Sequence, residues 1–487
     1  MALPALLSRL FRVAPAPAAP ARLSPMRRAA RASYDAAQTN DENTRHWAKA
    51  DALSADAAAS ASVRQTLRYR ARYEVANNSY ARGMIVTLAS DTIGTGPRLQ
   101  MLSASPDFNR AVEREWTRWA AEMALADKLR TMRQARCQDG EAFAAITANP
   151  ALASAVKLDL RLLEADLVSA PYALTGTGEA ADADGITFDA AGNPVAYSVL
   201  VAHPGSSAAM VATYRTIPAR YMLHTYRADR PGQHRGVPEI TPALPLFALL
   251  RRFTLSCVTA AETAANFAAI LYSDGPANQE DSQPDPMDSF SLERNMVTTM
   301  PGGWKLGQMK PEQPPSTYKD FKREVLSEIC RCLSMPYIVA AGDSADHNYA
   351  SGRLDFLVYQ RQIATDREQT GRTILDRLLA EFLAELTLAG GRAAPLNPSV
   401  ADLPPHQWFW DTAGAVDPSK EATAQATRLA NHTSTYAAEY AKEGRDWEAE
   451  LRQRGAELAL LKELGIPANL ANPAATLPTA PATEDEA

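Results

Sequence analysis

The sequence predicts an α+β fold, with a small antiparallel sheet followed by long helices and a polar, proline-rich insertion between two of them. Three observations carry this. Val156, Leu158, Leu160 and Leu162 alternate with Lys157, Asp159 and Arg161, the period of a half-buried strand. Elsewhere apolar residues recur in steps of three and four, which is one face of a helix. Between 273 and 316 neither period holds and prolines accumulate.

In chain order, residues 1–34 hold Ala, Arg and Pro and no acid, a composition near that of an organelle transit peptide. Prolines at 15, 17, 20 and 25 would break the amphipathic helix such a signal needs. Arg9 and Arg12 interrupt the apolar run of a secretory signal, so a flexible arm is expected. Residues 35–75 end in a basic segment, Arg64, Arg68, Arg70 and Arg72. An apolar stretch at Met84–Leu88 and a turn at Gly94–Pro97 follow. Ser105 and Pro106 supply an N-cap and a first-turn proline. Phe108, Val112, Trp116, Trp119 and Met123 then form the stripe of a buried helix, with the Trp pair read as core rather than as a platform for bases. Asp139-Gly140 reads as a turn before a strand. Further strands are expected at 195–201, 211–217 and 220–226, divided by turns at Gly192-Asn193-Pro194 and Pro204-Gly205, so residues 155–227 form one antiparallel unit.

Beyond the sheet the chain turns helical. One helix is expected from Pro242 or Pro245 to about Leu271, with a small-residue stripe of Leu250, Cys257, Ala261, Ala264 and Ala268. Residues 296–300 of the insertion could form a short strand. Tyr318, Phe321, Val325, Ile329 and Leu333 mark a second amphipathic helix that Pro336 ends. A loop at 337–350 leads to a long helix carrying Leu354, Leu357, Ile374, Leu378, Phe382 and Leu386, closed by Gly390-Gly391. Asp417-Pro418 opens another helix, and a last one at 447–464 points Trp447, Leu451, Leu458 and Leu461 inward before Gly465 and Pro467 stop it.

The totals bound function. A chain of 487 residues exceeds one core, so two to four folding units are expected. A net charge of −6 argues against a general electrostatic nucleic-acid binder, so any DNA contact is local or weak. Cys137, Cys257, Cys330 and Cys332 form no C-x-x-C pair and read as small buried hydrophobes in a reducing cytosol. No run of 18 or more apolar residues is present, from which no membrane span is expected. No phosphate-binding loop, H-E-x-x-H or G-x-S-x-G occurs, and Gly94-Thr95-Gly96 lacks the lysine a phosphate loop needs. Asp139 with Glu141 as paired carboxylates, and His347 with Asp343 and Asp346 as metal ligands, are weaker readings than a turn and a solvated loop. No catalytic, cofactor or metal residue is expected, and the chain is read as a non-enzyme.

Four segments together resemble the lambda-like family of tailed-phage portal proteins. They are Arg68–Leu99 (RYRARYEVANNSYARGMIVTLASDTIGTGPRL), Asp139–Phe143 (DGEAF), Glu328–Leu354 (EICRCLSMPYIVAAGDSADHNYASGRL) and Gly444–Ile466 (GRDWEAELRQRGAELALLKELGI). Their order covers most of residues 35–470. The resemblance implies a ring, usually of twelve copies, at one capsid vertex of the virion, assembled in the bacterial cytoplasm. Through it double-stranded DNA is packaged and ejected. It also implies docking to the terminase large subunit and then to a head–tail connector, and contact with major capsid and scaffold proteins. Mapped onto this chain, it implies an arm at 1–34, a wing at 35–239, a stem helix at 240–272, a clip at 273–316, a second stem helix at 317–336, a tunnel loop at 337–351, wing and crown helices at 352–470, and a disordered tail at 471–487. The tunnel loop would bring Asp343, Asp346, His347, Asn348 and Tyr349 to the DNA. Lys319, Lys322 and Arg323, alternating with Asp320 and Glu324, are either channel-facing stem charges or ordinary solvated ones. The alternatives are a head–tail adaptor or scaffold, and more distantly a packaging ATPase.

Overall fold

The computed structural model describes residues 44–170, 183–206, 212–266, 270–273, 304–307, 318–345, 349–390, 399–411 and 418–466. Two compact units result. In the first, Met1–Leu53, residues 44–49 form a turn; the second is Ser54–Ala487 and holds all that follows.

Helix α1 (Ala61–Asn77) passes directly into α2 (Ser79–Ile93), because the Asn78 carboxamide oxygen accepts from the Tyr80 N–H at 3.1 Å and starts the second helix. Strand β1 (Arg98–Met101) precedes α3 (Pro106–Glu122), capped as expected by Ser105. Val112, Trp116 and Trp119 of α3 and the following Met123 are buried, whereas Phe108 is 41% exposed, since the stripe's first turn overhangs the core. The Trp pair is core: the rings lie 4.8 Å apart, and Trp119 Nε1 donates to the Leu158 carbonyl at 2.8 Å.

Helix α4 (Leu125–Asp139) ends at Gly140, φ 94°, and strand β2 (Glu141–Ala148) begins at once. β2 is the centre of a three-stranded antiparallel sheet, flanked by β3 (Leu158–Leu163) and β7 (Met222–Tyr226). A second sheet joins β4 (Ile186–Phe188), β5 (Pro194–Leu200) and β6 (Tyr214–Pro218). β3 starts at 158 rather than 156 because the Lys157 N–H turns away to the Glu385 carboxylate at 2.5 Å. β4 was not anticipated, nor was the pairing of β1 with β10 (His406–Phe409).

Helix α5 (Leu244–Asn266) stops short of the expected Leu271, and Ile270–Ser273 instead forms β8, antiparallel to β9 (Trp304–Gly307). β-branched and aromatic side chains at 270 and 272 favour that pairing over continued helix. The expected strand at 296–300 lies outside the described residues. Leu250 of the α5 stripe is buried and Cys257 and Ala261 are half-buried; the side chains of Ala264 and Ala268 lie outside the described set. Helix α6 (Tyr318–Arg331) is followed by α7 (Tyr337–Ala341), so the first part of the expected 337–350 loop is helical. Helix α8 (Tyr349–Thr370) continues through a π-helical turn, Gly371–Leu375, into α9 (Asp376–Ala389), with Gly390 capping it. Of its expected stripe Ile374, Leu378 and Phe382 are buried, but Leu354 and Leu357 are exposed. Helices α10 (Pro418–Ala430), α11 (Tyr436–Lys442) and α12 (Trp447–Glu463) end the described chain. No residue of α12 is buried: Leu451 and Leu458 are exposed and Trp447 and Leu461 half-buried, a correction to the expected inward stripe.

Three cores result. One packs α3 and α4 with the β2–β3 face and α9, around Trp116, Trp119 and Phe382. Another packs α2, the start of α5, α6 and α8, around Met84, Phe247, Ile329 and Tyr359. The third underlies the second sheet. All four cysteines are free thiols; Cys137 and Cys330 are buried, Cys257 and Cys332 half-buried.

One backbone contact is tight enough to test. A Cβ on Gly236 would lie 2.0 Å from the Gly140 carbonyl oxygen. Gly236→Ala is expected to destabilise by at least the ~1–3 kcal/mol of ordinary overpacking. A Cβ on Gly455, in α12, would meet nothing within 4 Å. Gly455→Ala is therefore expected to be neutral or to stabilise by up to about 1 kcal/mol. Urea unfolding of both variants checks the contrast; equal effects would refute it.

Candidate nucleic-acid interface

Helices α5 and α6 lie together, tied by Phe253, whose ring stacks on Tyr318 at 5.8 Å and meets Phe321 edge-on at 4.8 Å. α6 buries Leu326, Ile329 and Cys330 and exposes Lys319, Asp320, Glu324, Glu328 and Arg331, with Lys322 and Arg323 half-buried. It ends where Ser334 takes a left-handed φ of 52° and the Met335 N–H returns to the Cys330 carbonyl at 3.2 Å. Pro336 then opens α7, and Gly342, φ 66°, closes it.

Of the expected DNA-facing residues, Asp343 is half-buried and its carboxylate accepts from the Ala345 N–H at 3.0 Å, a short turn. Asp346, His347 and Asn348 lie outside the described residues. Tyr349 is the first residue of α8, so the backbone there is helix rather than loop tip.

The three basic stem candidates do not share one environment. Lys319 is exposed. The Lys322 ammonium stands 5.2 Å from the Tyr80 ring centroid and 5.8 Å from that of Tyr318. Burial lowers its pKa, but the hydrogen bond and charge interaction with Tyr80 outweigh burial and hold it above the ordinary value. The Arg323 guanidinium lies 5.3 Å over the Tyr337 ring. Two of the three cations are thus engaged by rings of their own chain.

The site rests on two buried ionic networks that the sequence reading did not find. In the first, Arg133 and Arg136 of α4 face Glu239, just ahead of α5, and Asp366 on α8. Arg133 Nη2 lies 3.0 Å from Glu239 Oε2 and 2.9 Å from Asp366 Oδ2. Arg136 reaches Glu239 Oε1 at 2.7 Å and Asp366 Oδ1 at 2.9 Å. All four side chains are at most 5% exposed. Burial alone would raise the Glu239 pKa, but the charges of Arg133, Arg136 and Arg227 overturn that and bring it down to about 2.

In the second network Arg64, Arg68 and Arg72, spaced four apart, share the inward face of α1. Arg68 bonds Asp166 at 2.6 Å, and Arg72 grips Asp139 at 2.7 and 3.0 Å. Arg64 pairs with Asp184. Arg235 holds Glu141 at 2.6 Å, and His224 Nε2 lies 3.1 Å from the same carboxylate while stacking on Phe143. Burial opposes the charged form of Glu141, yet Arg235 and His224 hold its pKa well below the usual range. Asp139 and Glu141 are therefore anchors of separate arginines, not a paired acid and base. Among the described residues one trio, Glu164, Asp166 and His203, brings together donors for a cation. Arg72 Nη1 sits 2.8 Å from Asp166 Oδ2, however, so a guanidinium already occupies that side. The four-residue arginine spacing was the one signal in the sequence that could have pointed to this network.

A family model described as phage portal protein, lambda family, matches residues 40–367 of the chain. A protein of Halomonas phage phiHAP-1, named "Probable portal protein", is 23% identical over 433 residues, covering 83% of this chain and 82% of that protein. Among solved structures, a chain from the neck of an empty GTA particle computed with C6 symmetry aligns with a TM-score of 0.45 and 15% identity, over 77% of this chain and 93% of that one. A chain from the virion of a native gene transfer agent particle aligns at 0.41 and 14%, over 78% and 93%.

The Glu239 quartet sets a pH test. Because the folded pKa of about 2 lies below the ordinary 4.5, its stabilisation is complete above about pH 4.5 and is lost as pH falls towards 2. Glu239→Gln leaves two buried guanidinium groups short of a charge and is expected to cost about 3–5 kcal/mol at pH 7. Its stability is also expected to decline less steeply than the wild type's between pH 4.5 and 2. Urea titrations at several pH values check both; an unchanged acid slope would show that Glu239 does not carry it.

Proposed function

Since this chain belongs to the lambda family of phage portal proteins, we propose that its copies, twelve to a ring, form the conduit at one capsid vertex through which double-stranded DNA is packaged and later ejected. The observation that carries this is the family match from residue 40 to residue 367, which takes in every element from α1 to nearly the end of α8. The geometry suits the role. α5, at 23 residues, spans roughly 35 Å, and the α5–α6 pair has the length and aromatic tie of a wall element. Copies related by one rotation, each meeting two neighbours through unlike faces, close into a ring.

In this reading 240–272 and 317–336 are the stem, and 273–316 is a clip that docks first the terminase large subunit and then the head–tail connector. Residues 35–239 and 352–470 form wing and crown, which meet major capsid and scaffold proteins. The role is structural rather than catalytic. The segment at 337–351, helix α7 and the residues between it and α8, brings Asp343, Asp346, His347, Asn348 and Tyr349 towards the DNA, where the carboxylates repel phosphate and discourage sticking. Lys322 and Arg323, turned onto tyrosine rings, offer the wall fewer bare cations. A net charge of −6 agrees with DNA that slides rather than binds.

Twelve copies of 52.7 kDa make a particle of about 632 kDa. Native mass measurement is expected to find it, or a ring differing by one subunit; monomer under all conditions would remove the reading. Deletion of 344–348 is expected to leave rings intact and impair late packaging or retention of DNA. Full, stable heads of normal infectivity would reduce that segment to a connector.

A further inference from the structure

Lys322 does not stand among the exposed charges of α6. Leu326 and Ile329, four and seven residues on, are buried, which puts Lys322 on the side of the helix that faces the core. Asp320 and Glu324, two residues to either side, are exposed on the far side and do not offset it. Among the described residues no carboxylate pairs with Lys322. Rings take that place, Tyr80 of α2 and Tyr318 one turn back. Arg323 lies over Tyr337 in the same way, and Tyr337 opens α7.

α7 is five residues long and buries only Ala340, so it has little helical stability of its own. Tyr337 and Val339 rest at the edge of the core formed by α2, α5, α6 and α8. Lys322, Arg323 and Tyr80 all lie close enough to bear on the charge of the Tyr337 phenol, and so does Asp343. Beyond α7 the chain turns at Gly342, and the Asp343 carboxylate accepts from the Ala345 N–H. What holds Tyr337 therefore also fixes the start of the segment that leads to α8.

We propose that Lys322 and Arg323 are positioning residues, held by the rings of Tyr80, Tyr318 and Tyr337, that clamp α7 onto α2 and α6 and touch no phosphate. The inference rests on the conduit reading and deepens it: the two stem cations set where Asp343 stands relative to the DNA instead of lining the wall. A cation drawn onto aromatic faces is directed by them, and a phosphate contact would require each to leave its ring.

Lys322→Met and Arg323→Gln test this in the full chain, since both remove charge and keep most of the side-chain stem. Each is expected to speed amide hydrogen exchange over residues 337–345 by about threefold or more, while α3 exchanges as in the wild type. Tyr337→Phe keeps the ring and is expected to exchange like the wild type; Tyr337→Ala is expected to exchange faster. Assembled rings titrated with linear duplex DNA at several salt concentrations supply the second readout. The slope of log affinity against log salt is expected to be unchanged in both charge variants, whereas a lost phosphate contact would lower it by about 0.9. Unchanged exchange in both charge variants would overturn the clamp. A lowered slope would make the two cations phosphate contacts and overturn the positioning role while the conduit stands. A wild type that forms no rings would bring down the conduit reading, and exchange over 337–345 would then decide by itself whether the cations hold α7.

Discussion

Glu239 and Asp366 are carboxylates out of reach of water, and two arginines from a single helix are what make that tolerable. Arg133 and Arg136 are three apart on α4, so their guanidinium groups lie side by side and each touches both acids. Removing any one member leaves a buried charge unmatched, a far larger penalty than the net gain of the intact set. Glu239 stands ahead of α5 and Asp366 one turn before the end of α8. The quartet therefore sets where both helices leave the core.

The second network applies the same logic to the sheet. Glu141 opens β2 and Arg235 belongs to the segment leading to Glu239, and their ion pair draws Gly140 and Gly236 into backbone contact. Only residues without a Cβ permit that approach. Arg64, Arg68 and Arg72 close the other side by fastening α1 to Asp184, Asp166 and Asp139. The sheet and the helices beyond it are thereby joined through charges as well as through apolar packing. Such pairs constrain geometry more than they add stability.

Legibility in the sequence followed the range of the interactions. The α3 stripe and the strands near 158, 195 and 222 were visible because side-chain period reports local structure directly. The β1–β10 pair joins residues some three hundred positions apart and leaves no local trace. Arginines three or four apart read equally well as a solvated helix face, so both ionic networks were missed. The opposite error arose with Leu354, Leu357, Leu451 and Leu458, apolar at helical spacing yet exposed. Periodicity states which face of a helix is apolar, not whether its cover lies in the same chain. The short helix at 337–341 was read as loop because Pro336 marks a boundary without saying what comes after it.

The π-helical turn at Gly371–Leu375 joins α8 to α9 without interrupting the rod. Before the turn, Tyr359 and Ile363 are seated among α2, α5 and α6; after it, Leu378, Leu379 and Phe382 are seated among the tryptophans of α3. The extra residue in the turn resets the helical phase, so one continuous axis can present its apolar side to two differently placed cores. A rod seated twice behaves as a strut. An axial push entering near Gly352 is carried along unbroken helical backbone to both cores. Mechanically, the end of the helix nearest the loop and the wall around Trp116 are two ends of one lever.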